Sequence, residues 1–145
     1  MAKIFYLVTH PIQYQTPLIK LFYKIFKSDL EVIYLSDFSI NNFYDKGFDR
    51  KIKWDIDLLS KHKFTFICNN QKSEYSYFSP FIKIKLIRKI IREKPKYLMV
   101  HGWANINFII AIIVAKIIGT KILIRSGNCI KKERYFKSII KYLYY

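Results

Sequence analysis

Acidic residues are scarce in this chain. Ten Asp and Glu stand against 26 Lys and Arg over 145 residues, a formal charge of +16. Glycine is scarce too, with four in all, and none falls in the polar stretch after the first apolar run. That excludes a dinucleotide fingerprint or a P-loop there, since both need glycines where the backbone approaches phosphate. The two cysteines, Cys68 and Cys129, are far apart and show no metal-ligand spacing. With three histidines the set is too small for a zinc site, and no metal is expected. The longest apolar stretch, from Phe108 to Ile118, is broken by Lys116 and bounded by Gly119. A membrane span needs roughly 20 apolar residues, so this reads as a core helix. A secretory signal core is not visible at the start of the chain, so the expectation is a cytoplasmic protein with reduced thiols. Internal repeats and low-complexity linkers are also missing, which leaves one domain over residues 1–145.

What is present is a 52% hydrophobic fraction, enough for a proper core and against disorder. The charge invites a polyanion: nucleic acid, anionic lipid or a phosphorylated substrate. The lysines are scattered, however, and a general compositional bias accounts for the charge equally well. No nucleic-acid-reading motif accompanies it, so nucleic acid is not an expected partner.

The chain is organised around Lys3 to Leu18. An apolar run, Ile4 to Val8, breaks into the polar turn Thr9-His10-Pro11-Ile12-Gln13-Tyr14-Gln15-Thr16. A helical pattern follows, with Pro17 at its start and apolar residues at Leu18, Leu21, Phe22, Ile25 and Phe26. Further strands are predicted at Leu30–Leu35, Phe64–Cys68, Tyr97–Val100 and Lys121–Ile124, with a short edge strand within Lys51–Leu59. Ser36 to Arg50 reads as a long loop. Helices are predicted over Pro80–Glu93, with a basic outer face, over the apolar Asn105–Ile118, and over Lys131–Tyr145. Pro95 stops the first of these, and Gly119 is placed to cap the second. This alternation predicts an α/β fold: a single Rossmann-like, doubly wound, mostly parallel sheet covered on both faces.

Ligands of such folds sit outside the carboxyl ends of the strands. Right-handed crossovers bring three strand ends to one rim: Thr9-His10, His101-Gly102-Trp103 and Arg125-Ser126-Gly127. His10 and His101 can serve as base, acid or hydrogen-bonding group near neutral pH, or can simply cap turns. Gln13 and Tyr14 can bond sugar hydroxyls or fix their own loop. Gly102 permits close backbone approach, and Trp103 can stack on a sugar or fill the core. Arg125 can bind an anion, with Ser126 offering polar groups beside it. The carboxylates Asp45, Asp49, Asp55 and Asp57 read as solvated, and His62, between two lysines, reads as a surface residue.

In order along the chain stand THPIQYQTPL after the first strand, GFDRKIKWDIDLL, then VHGW, then a strand ending in IRSGN. This set resembles the N-terminal domain of GT-B glycosyltransferases, closest to the family-4-like bacterial enzymes that decorate surface polysaccharides. The resemblance covers nearly the whole chain. It implies a domain that holds the acceptor, a glycan or lipid-linked sugar, in a cleft shared with a second domain that binds the nucleotide-sugar donor. It implies no cofactor beyond that donor co-substrate. His10, Gln13 and Tyr14 match the family's cleft loop, and His101, Gly102 and Trp103 match its fourth strand end. Arg125 matches the start of a pattern that usually continues to a glutamate, whereas this chain continues Ser126-Gly127-Asn128. The donor-binding domain is not in the sequence. The expectation is therefore an acceptor-binding half that does not turn over alone, or a non-catalytic binding module that works with a separate donor-domain protein. The basic outer faces suit a peripheral position on the anionic inner membrane leaflet.

Overall fold

The computed structural model of the chain describes residues 3–40, 43–45, 49–52, 54–69, 84–102 and 105–125. Five strands form the main sheet: β1 (Ile4–Val8), β2 (Leu30–Ser36), β5 (Phe64–Cys68), β6 (Tyr97–His101) and β7 (Lys121–Arg125). Their spatial order is β5-β2-β1-β6-β7, and every pairing is parallel. The sheet is open, with the first strand at its centre and the order reversing on either side of it. That reversal is the topological switch point of a doubly wound α/β sheet, and the fold is Rossmann-like.

Strands buried on both faces should be mostly apolar without alternation, and β2 is buried at all seven residues of LEVIYLS, five of them apolar. Side chains on neighbouring parallel strands share a face according to register. Tyr6 pairs with Val32 on one side and Met99 on the other, and Met99 with Leu123. One face thus carries Tyr6, Val8, Val32, Tyr34, Met99, His101 and Arg125. Helix α1 (Thr16–Phe26) packs there through Ile19, Phe22 and Tyr23. The other face carries Phe5, Leu7, Ile33, Leu35, Leu98 and Val100. It is covered by α2 (Ile84–Glu93) through Leu86 and Ile90, and by α3 (Ile106–Ile117) through Phe108, Ala111, Ile112 and Ala115. Burying each aliphatic or aromatic side chain of this size contributes about 1.5–3 kcal/mol.

Helix α3 shows how the local sequence sets its own ends. The Asn105 side chain accepts from the Asn107 backbone N–H at 2.8 Å, satisfying an orphan donor of the first turn. At the other end Gly119 adopts φ +81, its N–H donates to Lys116, and that of Thr120 donates back to Ala115. These two bonds are the Schellman closure that a C′ glycine allows.

Three expectations change. The presumed loop from Ser36 to Arg50 contains β3 (Phe43–Asp45), which pairs antiparallel with β4 (Arg50–Ile52). This ribbon is a separate two-stranded sheet, so the Lys51–Leu59 segment does not add an edge to the main one. His62 is buried and not a surface residue. Its Nδ1 donates to the Ser60 carbonyl at 3.2 Å, which leaves Nε2 to accept the Tyr34 hydroxyl at 3.1 Å. The predicted helix Lys131–Tyr145 and Cys129 lie outside the described residues; Cys68 is a half-buried free thiol.

Candidate functional site

The chain enters α1 through a short 3-10 turn, Gln13–Gln15, whose backbone bonds and the Thr16 hydroxyl converge on the Ile12 carbonyl. Pro17 is tolerated because the first-turn N–H groups lack helical partners anyway. The turn stands at the carboxyl end of β1. Gln13 is half-buried, while Tyr14 is 69% exposed.

Around this turn a polar group gathers on the α1 face of the sheet. Arg125, at the end of β7, donates from Nη1 to the Tyr6 hydroxyl at 3.2 Å. Burial pushes the Tyr6 phenol up; the Arg125 charge works against that, and Tyr14 lies close enough to add to the rise. His101, at the end of β6, pairs in register with Arg125. Burial and then the Arg125 charge hold its imidazole below the ordinary histidine range, so it is neutral at pH 7. Its Nδ1 is buried and has no hydrogen-bond partner. Next to it Gly102 turns with φ +81 and donates to the Arg125 carbonyl at 2.9 Å, tying the ends of β6 and β7 together. An added Cβ at Gly102 would meet open space, so the positive φ is what suits glycine there.

His10 occupies the same rim but leans toward β2. Its ring meets Phe38 edge-on at 5.5 Å, and its Nδ1 lies 3.1 Å from the Thr9 hydroxyl. Burial lowers its pKa to about 4. The rim thus brings Arg125 to both Tyr6 and His101, with Tyr14 near Tyr6 and His10 on the flank nearer β2. Trp103 and Ser126 lie outside the described residues. Tyr6 was not among the residues singled out from the sequence, because a tyrosine inside an apolar strand reads as core.

The chain also carries a basic cleft away from this rim. Lys85, Arg88, Lys89 and Arg92 of α2, with the exposed Ile84 and Ile91, line about 900 Å³ beside Thr65 of β5. Two of these cations are structural: Lys85 donates to the Phe66 carbonyl at 2.9 Å, and Lys89 pairs with the buried Glu31 at 2.8 Å. The cleft is open and mixes cations with aliphatic side chains. The strand ends, with their neutral imidazole and hydroxyls, are the better place for chemistry. Among the described residues, no group of three or more His, Cys, Asp or Glu could hold a metal ion. No described helix is long and apolar enough to cross a membrane.

Comparison with family models, curated proteins and solved structures gives no match for this chain.

Proposed function

We propose that this domain is the acceptor-binding half of a glycosyltransferase. The complete enzyme moves a sugar from a nucleotide-sugar donor to a hydroxyl of a glycan or lipid-linked acceptor. One observation carries the reading: the Tyr6–Arg125 pair, with Tyr14 and His101 beside it, converges at the carboxyl rim of a parallel sheet. A hydroxyl-rich ligand needs donors and acceptors in fixed places, and this group supplies both. In the reaction, the acceptor oxygen bonds to the anomeric carbon as the bond from that carbon to the leaving diphosphate breaks. The proton of the attacking hydroxyl passes to the neutral His101 imidazole. Arg125 offsets charge on the departing diphosphate, which the donor domain holds. The exposed isoleucines and cations of α2 rest on an anionic bilayer surface, where lipid-linked acceptors lie.

The test has two parts. The purified chain forms no product from nucleotide sugars by itself. On an array of bacterial glycans it binds at least one structure, and His101→Ala and Arg125→Ala abolish that binding while the proteins stay folded by circular dichroism. A chain that binds no glycan, or whose binding ignores both substitutions, overturns the reading.

A second reading, a non-catalytic module that works with a separate donor-domain protein, is favoured by one feature. The edge strand β7 exposes Leu123 and Ile124, and α3 exposes Ile113 and Ile117. An apolar flank of this kind suits a protein partner. Co-purification of the chain with a donor-domain protein, with no sugar transfer by the pair, would select it.

A further inference from the structure

Gln15 is 1% exposed, and neither its amide nitrogen nor its amide oxygen has a hydrogen-bond partner. A buried primary amide without partners is expensive, and proteins rarely leave one without a reason. Its place can be worked out from the fold. Helix α1 runs antiparallel to β1, and its inward stripe is Ile19 and Phe22, packed with Tyr6 and Val8. Gln15 lies one turn before Ile19 on that stripe, which sets it at the level of the carboxyl rim above the end of β1. The strand beside β1 is β6, where Leu7 pairs with Val100, so His101 is the next residue along, level with Val8. His101 Nδ1 is, among the described residues, a second buried atom of this rim with no partner. Two orphaned polar groups therefore lie on one face of the sheet, at the edge where ligands of such sheets bind.

We infer that Gln15 is a binding residue that reads a neutral hydroxyl pair of the ligand, together with His101 Nδ1. This rests on the saccharide reading above and adds a residue and a selectivity to it. A primary amide presents N–H donors on one arm and a carbonyl acceptor on the other. A vicinal diol satisfies both arms, because each hydroxyl can donate and accept. A phosphate or diphosphate presents mostly acceptor oxygens, and satisfies the amide oxygen far less well than a diol does. The Gln15 end of the rim thus selects hydroxyls, whereas the Arg125 end takes negative charge.

The amide resonances of Gln15 and the His101 ring signals report this directly by NMR on the full chain. The probes are methyl α-glucoside, methyl α-mannoside, methyl β-galactoside and pyrophosphate. At least one glycoside shifts both the Gln15 side-chain amide and His101, and pyrophosphate leaves the Gln15 amide in place. Gln15→Met, which fills the same volume without the amide, raises Tm and loses the glycoside response. If a glycoside shifts His101, Tyr14 or Arg125 but not the Gln15 amide, the inference about Gln15 falls and the saccharide reading stands. If no glycoside shifts any of them, the saccharide reading falls and takes the inference with it. A lower Tm for Gln15→Met would show an amide already satisfied within the protein, which also overturns the inference.

Discussion

His10 shows what burial does to a single titratable group. Its unfolded imidazole binds a proton near pH 6.5, while in the folded domain it does so only at about 4. The unfolded state therefore holds more protons between these values, and stability falls as pH drops through that window. His62, lowered by burial and lodged against Tyr34, acts in the same direction. The His10 shift alone corresponds to something on the order of 3 kcal/mol. Urea midpoints should be flat above pH 7 and decline steeply toward pH 4, and His10→Asn should flatten that decline. Tyr6→Phe tests the other side of the rim. It removes the acceptor of Arg125 and should cost about 1 kcal/mol in chemical denaturation, with glycan binding weakened. Little of this was legible beforehand. The strand-end positions of His101 and Arg125 follow from the apolar runs before them. Tyr6 and Arg125 are 119 residues apart, and only the register of strands β1, β6 and β7 brings them together. His62 reads as exposed because lysines flank it; the aromatic face of β2 that buries it is set 28 residues earlier.

At the level of elements, α2 is fastened to the sheet by charge as well as by leucine and isoleucine. Glu31 is the second residue of β2 and is 1% exposed. One carboxylate oxygen accepts from Lys89 at 2.8 Å and Thr65 at 2.6 Å, and the other forms an ion pair with Lys63 at 3.0 Å. Burial pushes its carboxyl up, yet these partners together hold it below the ordinary range. Lys89→Met leaves the buried carboxylate with only Thr65 and the half-exposed Lys63, so it should destabilise by about 1.5–3 kcal/mol. The double replacement Glu31→Leu with Lys89→Met should recover most of that loss, and Arg92→Ala, on the exposed side, should change little. Thermal melts of the three variants decide the matter. The main strands were legible because a parallel sheet buries both faces and writes them as unbroken apolar runs. The ribbon β3–β4 was not, since its three-residue strands are too short to show a period and sit in a polar, aromatic stretch.

The whole molecule is strongly cationic, and its charge is not featureless. Two arginines, Arg88 and Arg92, stand on the same helical face as the exposed Ile84 and Ile91. Each basic residue near an anionic bilayer contributes about 1 kcal/mol, so Arg88→Glu with Arg92→Glu should weaken vesicle binding at least about thirty-fold. Co-sedimentation with phosphatidylglycerol vesicles measures this. Binding by the parent should fade as salt rises, and purely zwitterionic vesicles should not retain it. Net charge alone could not place such a face; the period of the α2 sequence did. A different consequence follows from the way the chain travels between β2 and β5. A crossover helix is the usual bridge there, but this protein inserts a small antiparallel ribbon that shares no ladder with the five-stranded sheet. Such an appendage can be rewritten without disturbing the frame that carries it. Ribbons of other lengths grafted at this position should therefore leave the five-stranded sheet folded, as circular dichroism would report.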